Sequence, residues 1–155
     1  MQTVIIIVLV LLLLSLVTEK ISAQPKENEM TPNTFGYFTA WLGFAIGLFP
    51  IAQVLLGNSD VDTWIGLAIL TPGGFWGFLH LLTLRYKFDE NGIEVKSLVS
   101  MVNAGAWKHF QSAYHSPKSY AHILEFSFGD IRVYDMFKNK KQFLDFMESK
   151  GFETE

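Results

Sequence analysis

Three histidines in the C-terminal half of the chain are the residues best suited to metal or acid–base chemistry. His109, His115 and His122 lie on segments predicted to be strands and loops. Imidazole nitrogens bind zinc and act as general bases when a carboxylate or a further ligand lies beside them. On the predicted strands His109 and His115 share a face only if no bulge intervenes, and no carboxylate is spaced to complete a site. We therefore expect ordinary strand or loop histidines, with no metal site and no cofactor.

A fourth histidine, His80, is the only ionisable side chain predicted inside a membrane span. A proton relay at membrane depth needs a second acid or base, and the sequence offers none there. The chain also has no cysteine, which excludes disulfides, thiolate catalysis and cysteine-based metal sites. No Ser-His-Asp spacing, phosphate loop, dinucleotide fingerprint or zinc motif occurs. We therefore expect a structural His80 and a protein that is not an enzyme.

Lys138, Lys140 and Lys141 form the one local basic cluster, and they are the candidate contact for lipid or a partner. Each cation near an anionic leaflet contributes about 1 kcal/mol of attraction. Nearby acidic residues dilute the cluster, so a solvated helix start is the simpler interpretation. Over residues 85–155 ten Lys and Arg balance ten Asp and Glu. Such a neutral surface does not predict nucleic acid as a partner.

The elements that position these residues begin with apolar helices. Residues 1–18 carry no charged side chain. Residues 35–57 and 63–84 each exceed the roughly 20 residues that cross a bilayer. Only five residues interrupt the last two segments, so a transmembrane helical hairpin is predicted over residues 35–84. The sequence thus predicts two or three transmembrane helices.

The first apolar segment has two interpretations. Residues 1–18 form either a transmembrane helix or a signal-like segment, because Ile21-Ser22-Ala23 resembles a small-residue cleavage site. No Lys or Arg precedes the apolar core, which favours an uncleaved helix. Residues 19–34 are polar, contain Pro25 and Pro32, and are predicted to be a linker.

The charges around the hairpin predict its orientation. Lys and Arg residues flank both ends, whereas the loop between the two helices carries only Asp60 and Asp62. By the positive-inside rule, the loop faces outward and both flanks face the cytoplasm. This predicts a multi-pass protein of the cytoplasmic membrane with a cytoplasmic C-terminal domain.

Small residues mark the predicted contact between the two helices of the hairpin. Gly43 and Gly47 in one helix are spaced by four residues, and Gly66, Gly73 and Gly77 in the other are spaced by seven and four, so each set shares a helical face. Such spacing lets helix backbones approach closely. We expect the two faces to pack on each other. The alternative is that one face recruits another subunit.

From Arg85 onward the apolar period changes from helical to alternating. Asn91-Gly92 lies between two alternating runs and predicts a β-hairpin, because both turn positions tolerate positive φ. Further strands are predicted over residues 98–106, 107–114, 120–128 and 131–135, the first of them ending in a turn at residues 103–105.

One amphipathic helix follows the predicted strands. Phe143 and Met147 lie on its apolar stripe, Asn139 is its predicted N-cap, and Gly151 is its predicted stop. Strands followed by one helix predict an α+β domain over residues 85–152. We expect a bent antiparallel sheet or partial barrel that the helix closes at one end.

Parts of this domain resemble the bacterial pleckstrin-homology-like (PH-like) domains of small membrane proteins. The run Arg85-Tyr86-Lys87-Phe88-Asp89-Glu90-Asn91-Gly92-Ile93 is similar to their opening. Trp107-Lys108-His109-Phe110 is similar to their tryptophan motif, and residues 143–151 to their closing helix. The order of a helical hairpin followed by this domain is also similar. The resemblance implies a PH-like fold in a membrane-tethered binding or scaffold module, and it supplies no catalytic residue.

We therefore predict a non-enzymatic bacterial membrane protein. Its cytoplasmic domain is expected to bind a protein partner, or to organise a homo-oligomer, at the lipid bilayer. One alternative is a self-immunity protein against a membrane-active peptide. Another is a subunit of a membrane transporter or enzyme complex, for which a deep polar pocket at His80 would be the evidence.

Overall fold

A computed structural model of the chain describes residues 2–22, 25–57, 60–99 and 103–152. The chain divides into two compact units. The helical unit comprises Met1–Ser22 and Thr34–Thr83, and the sheet unit comprises Ala23–Asn33 and Leu84–Glu155. Each unit is therefore built from two separate stretches of sequence.

The helical unit contains α1 (Gln2–Ile21), α2 (Thr34–Leu55) and α3 (Val61–Thr83). Two of these helices, α2 with 22 residues and α3 with 23, are long and apolar enough to cross a membrane. Neither contains Asp, Glu, Lys or Arg beyond Asp62 in the first turn of α3. This agrees with the predicted helical N-terminal part of the chain.

Glycines allow α2 and α3 to approach closely. A Cβ atom added at Gly74 would lie 2.5 Å from the carbonyl oxygen of Gly43 and 2.8 Å from the Cα of Gly47. The Thr71 hydroxyl donates a hydrogen bond across the contact to the carbonyl oxygen of Gly47 at 2.8 Å. Gly43 and Gly47 thus lie at the helix–helix contact, as predicted.

The contact face of α3 differs from the predicted one. A Cβ added at Gly73 or Gly77 would meet no described atom within 4 Å, so neither glycine is needed for close approach. The contact instead follows an i, i+4 row, in which Gly66, a predicted contact residue, meets Pro50 and Gly74, which was not predicted, meets α2. Such rows are the ridges that interlock when two helices cross at an angle. Gly74 is therefore the glycine of α3 that lets the two helix backbones approach closely.

Aromatic rings continue the same row. The ring of Phe44 lies 4.9 Å from that of Phe75 and 4.7 Å from that of Phe78, measured between centroids. Trp41 lies 4.9 Å from Phe78. The glycine contact and the aromatic contact together pack α2 along α3.

Polar groups join the C-terminal end of α1 to the first turns of α2. The indole N–H of Trp41 donates to the hydroxyl oxygen of Thr18 at 3.0 Å. The hydroxyl of Tyr37 donates to that of Ser22 at 2.9 Å. Because later residues of α2 meet earlier residues of α1, the two helices are antiparallel.

Within the described residues the sheet unit has two antiparallel sheets and one α-helix. The first sheet has the order β1-β2-β3-β4 and the second the order β5-β6-β7. A 3₁₀ turn, Trp107–His109, precedes β5. The elements are β1 (Glu29–Met30), β2 (Arg85–Phe88), β3 (Gly92–Lys96), β4 (Asn103–Ala106), β5 (Phe110–Ser116), β6 (Ala121–Phe126), β7 (Gly129–Tyr134) and α4 (Lys140–Ser149). The predicted combination of antiparallel sheet and C-terminal helix is confirmed.

One apolar core joins the two sheets and α4. Phe88 of β2 packs on Phe143 and Phe146 of α4, with ring centroids 5.2 and 5.3 Å apart. The hydroxyl of Tyr86 donates to the carbonyl oxygen of Arg132 at 2.6 Å and so links the first sheet to the second. Burial raises the pKa of Tyr86, so this donor keeps its proton.

The closing helix α4 follows its predicted apolar stripe, and Phe143 and Met147 are fully buried. The predicted stop is also confirmed, because Gly151 adopts a left-handed φ of 76° directly beyond the helix. Asn139 occupies the predicted N-cap position, but its side chain does not cap the helix. The Asn139 side chain makes no hydrogen bond to the first turn and instead donates to the carbonyl oxygen of Glu29 at 3.1 Å. Asn139 thereby ties the start of α4 to β1.

The predicted hairpin of β2 and β3 is confirmed, but its turn and a second predicted turn differ from expectation. Neither Asn91 nor Gly92 has a positive φ. The carboxylate of Asp89 holds the turn instead, accepting the backbone N–H groups of Asn91 at 2.7 Å and of Gly92 at 3.1 Å. Residues 103–105 form a strand rather than a turn, because they pair with β3. Residues 100–102 of the strand predicted there lie outside the described residues, as does Ala23 of the cleavage-like site.

Residues 25–33, part of the predicted linker over residues 19–34, belong to the sheet unit. Met30 is fully buried and pairs with Tyr86 of β2. This strand depends on one buried apolar side chain, that of Met30, among polar neighbours. The composition of the segment therefore did not predict a strand. In chain order, α2 and α3 therefore lie between two paired strands.

Replacing Gly74 by alanine is expected to destabilise the helical unit, because the new methyl group would overlap backbone atoms of α2. Overpacking of this kind costs about 1–3 kcal/mol. Gly73→Ala is the matched control, since it adds the same methyl group one residue away, where no described atom lies within 4 Å. Circular dichroism in detergent should show a lower melting temperature for Gly74→Ala alone. Equal melting temperatures for the two variants would contradict the contact.

Candidate functional site

Strand register brings two histidines and an aspartate together in the second sheet. His115 of β5 lies directly opposite His122 of β6, and His122 lies opposite Val133 of β7. Asp135 follows Val133 by two residues, so it lies diagonally from His122 on the same face. The backbone N–H of Asp135 donates to the carbonyl oxygen of Tyr120 at 2.8 Å. This bond continues the strand pairing far enough to hold the carboxylate beside the histidines.

His115, His122 and Asp135 form a compact group, here called the His–Asp cluster. One ligand atom from each residue lies within 4.8 Å of the other two. Nε2 of His115 is 3.1 Å from Oδ2 of Asp135, and Nδ1 of His122 is 3.9 Å from Oδ1. The two imidazole rings have centroids 4.8 Å apart. Each carboxylate oxygen therefore faces a different imidazole.

The His–Asp cluster lies at the edge of the apolar core. By register, His115 and His122 share a strand face with Ala113 and Leu124, which are core residues. The side chain of His122 is 12% exposed, whereas those of His115 and Asp135 are about one-third exposed. Nδ1 of His122 is buried and has no hydrogen-bond partner within the described part of the chain. Because buried polar atoms are normally paired, this nitrogen needs an explanation.

The charge states of the cluster follow from its surroundings. Burial lowers the pKa of His122, and electrostatic repulsion from Lys140, and from His115 when protonated, lowers it further, against the effect of Asp135. Burial acts to raise the pKa of Asp135, but hydrogen bonds from Lys140 and His115 outweigh it and lower that pKa. At neutral pH the cluster therefore combines a neutral His122 imidazole with an ionised carboxylate.

Lys140, in the first turn of α4, forms an ion pair with Oδ1 of Asp135. Lys138, Lys140 and Lys141 were the predicted basic cluster. Of these, Lys140 is held in this ion pair within the sheet unit, whereas Lys141 is exposed. The proposed contact of these lysines with lipid or a partner stays a prediction.

The other two histidines lie elsewhere. His109 is in the 3₁₀ turn and its ring packs on Phe128, with centroids 6.0 Å apart. A bulge between Phe110 and Ser112 separates His109 from the strand face that carries the cluster. His80 belongs to α3 in the helical unit.

Asp135 is the residue that sequence reasoning missed. The turn at residues 117–120 makes His115 and His122 partners, and the turn at residues 127–128 makes His122 and Val133 partners. Counting register across both turns would have placed Asp135 beside the histidines. Two imidazole nitrogens and a carboxylate form a donor set for a transition-metal ion, and they also form a proton-binding group.

Two grooves lie on the surface of the sheet unit. One, of about 700 Å³, follows β5 and is lined by residues 110–114 with Gly151 and Phe152. Among the described strands β5 pairs only with β6, so it is an edge strand of the second sheet. The second groove, of about 500 Å³, crosses the first sheet and is lined by charged residues including Glu29 and Lys87.

Comparison of the chain with protein-family models, with curated proteins and with solved structures finds no match. We therefore infer function from the contacts described above.

Acidification is expected to destabilise the sheet unit through His122. Because burial lowers the folded-state pKa of His122 below 6.5, the unfolded chain binds the proton more readily. The stability present above pH 6.5 is then lost as the pH falls toward the folded-state pKa. In a metal-free buffer, the melting temperature should fall between about pH 7 and about pH 5. Asp135 titrates below this window.

His122→Gln should flatten this pH profile, whereas His109→Gln, which removes an imidazole outside the cluster, should leave it unchanged. An identical acid-side loss in His122→Gln and the unmodified chain would contradict the assignment to His122.

Proposed function

We propose that this chain is a non-enzymatic, membrane-anchored binding protein. The helical unit would hold the sheet unit at a bilayer, and the sheet unit would bind a protein partner. The observation that carries the proposal is the exposed apolar surface of α2 and α3. In α3, for example, Trp64 is 51% exposed, Ile69 64% and Trp76 60%. A long row of such side chains is unfavourable in water and favourable against lipid chains.

The position of α2 and α3 between β1 and β2 supports an even number of membrane crossings within that segment. The paired strands β1 and β2 precede α2 and follow α3, respectively. A chain that leaves one paired strand and returns to its neighbour must end on the side of the membrane where it began. Lys and Arg flank both ends, and the intervening loop carries Asp60 and Asp62. By the positive-inside rule, the sheet unit then faces the cytoplasm.

The contacts of α1 support its role as a further anchoring helix rather than a cleaved signal. Trp41 and Tyr37 of α2 donate to Thr18 of α1 and to Ser22 directly after it. Removing α1 would take away both acceptors, and an unpaired polar group is costly within or beside a membrane.

The sheet unit also supports the resemblance to PH-like domains. Antiparallel strands precede one closing helix, as that resemblance requires. Trp107 of the tryptophan motif is buried, and its indole N–H donates to the carbonyl oxygen of Asp89 in the opening motif at 2.7 Å. The two resembling segments are thus in direct contact. A PH-like module favours binding over catalysis.

We place the partner contact at the open edge of β5. A strand edge offers backbone N–H and C=O groups that can pair with an extended segment of another protein. The adjoining groove presents the rings of Phe110, Tyr114 and Phe152, of which Tyr114 is 39% exposed. Backbone pairing would supply affinity, and the rings would select apolar side chains of the partner.

The membrane arrangement can be tested with single cysteines, because the chain has none of its own. Asp62→Cys reports on the loop side of α3, and Lys118→Cys reports on an exposed turn of the sheet unit. In intact cells, a membrane-impermeant maleimide should label Asp62→Cys directly and Lys118→Cys only after permeabilisation. The cysteine-free chain controls for background labelling.

Labelling of both positions from the same side would overturn the arrangement, as would release of the chain from membranes by alkaline carbonate. The intact mass of the purified chain should still include residues 1–23.

The partner contact can be tested by photo-crosslinking from benzoylphenylalanine placed at single positions. Gln111 and Tyr114 line the groove along β5, and exposed Asp130 of β7 is the matched control. We expect one adduct with a different protein from both groove positions and no such adduct from position 130. Equal adducts from all three positions, or an adduct only with a second copy of this chain, would contradict the proposal.

A further inference from the structure

We propose that the His–Asp cluster binds a divalent transition-metal ion of the Zn²⁺ class. Nε2 of His115, Nδ1 of His122 and a carboxylate oxygen of Asp135 would be its ligands. This inference is independent of the membrane anchor and of the partner contact at β5, because it rests only on contacts within the second sheet and the start of α4.

The donor atoms define the class of ion. Imidazole nitrogen suits zinc, copper, nickel and iron, whereas calcium and magnesium require sites built almost wholly from oxygen. Two nitrogens and one oxygen therefore favour a transition metal. Three protein ligands also leave one position of a four-coordinate ion open to water or to a ligand from another molecule.

The geometry is close to that of a bound ion. In a tetrahedral zinc site with bonds of about 2.1 Å, neighbouring ligand atoms are about 3.4 Å apart. Nε2 of His115 lies 3.1 Å from one carboxylate oxygen of Asp135, and Nδ1 of His122 lies 3.9 Å from the other. No pair in the set exceeds 4.8 Å. Side-chain adjustments would bring these separations to those of a bound ion.

The buried nitrogen of His122 is the second observation that points to a ligand. Nδ1 of His122 faces Asp135 and lacks a hydrogen-bond partner among the described residues. A strand position on the core side would normally carry an apolar residue, as Leu124 does two residues later. A metal ion supplies the partner that this nitrogen lacks, and it explains why an imidazole occupies the position.

Lys140 already places a positive charge at this carboxylate. Its ammonium group ion-pairs with Oδ1 of Asp135, on the side that faces His122. The lysine side chain is 20% exposed and lies in the first turn of α4, so its flexible stem can swing toward solvent. Metal binding would exchange one cation for another at Asp135, and Lys140 would act as a competitor.

The ligands come from three separate segments, namely β5, β6 and the connection after β7. A bound ion would therefore fasten the open end of the second sheet to the segment that leads into α4. Metal binding should raise the melting temperature of the chain, since an ion that binds only the folded state stabilises it by mass action.

The test uses the full chain, purified in detergent and stripped of metal with a chelator. Co²⁺ is the first probe, because coordination by nitrogen ligands at low coordination number gives a visible spectrum that hydrated Co²⁺ lacks. Zn²⁺ titrated into the Co²⁺ complex then reports the affinity. We expect the unmodified chain to bind one ion. The variants His115→Gln, His122→Gln and Asp135→Asn each lose one ligand, so their affinity for the ion should fall at least about tenfold.

Two further variants separate metal binding from general damage to the fold. His109→Gln removes an imidazole outside the cluster and should leave the affinity unchanged. Lys140→Gln removes the competing cation and should tighten binding severalfold, a result that a merely destabilised protein would not give.

Absence of Co²⁺ and Zn²⁺ binding in the unmodified chain would overturn the proposal. So would binding that the three ligand variants do not weaken, or that His109→Gln weakens equally. If a ligand variant fails to fold, the affinity of Lys140→Gln for the metal ion tests the proposal instead. Unchanged or weaker binding in Lys140→Gln would count against the site.

Discussion

The pairing of β1 with β2 is the constraint on which the arrangement of the whole chain depends. β1 has only two residues, but Met30 is fully buried against the core, which is worth about 1.5–3 kcal/mol. The Asn139 amide binds the carbonyl oxygen of Glu29 and adds a contact from the opposite end of the sequence. Because β1 precedes the long helices and β2 follows them, this short strand makes the helical hairpin an insertion within a folded unit. Both junctions of the hairpin are thereby tied to one sheet.

Elements with a strong periodic pattern of apolar residues could be predicted from the sequence. The apolar helices, the alternation that starts at Arg85, and the stripe of Phe143 and Met147 in α4 are of this kind. Each rests on many residues that agree with one another, so single exceptions do not matter. Features decided by one or two tertiary contacts were missed. The short strand at Met30 and the contact of Gly74 are examples, because neither leaves a periodic signal.

The His–Asp cluster illustrates the same limit. Its residues are spread over three segments, and only the register of two β-hairpins brings them together. The bulge between Phe110 and Ser112 lies before His115, so it leaves the pairing of His115 with His122 regular but separates His109 from their strand face. Polar residues on the core side of a strand break the usual alternation. Such local departures are expected where a site, rather than packing, determines the residue.

The division of the sheet unit around the helices also has a consequence for biosynthesis. β1 leaves the ribosome before α2, but its partners Tyr86 and Asn139 are made only after α3 is complete. The first strand must therefore wait, unpaired, while about fifty residues of helix are synthesised, in contrast to the usual N-terminal-first order of folding. Completion of the sheet unit therefore requires that both helices of the hairpin have already been made. A nascent chain whose helices were misplaced would expose Met30 and an open strand, the kind of surface that chaperones and proteases recognise.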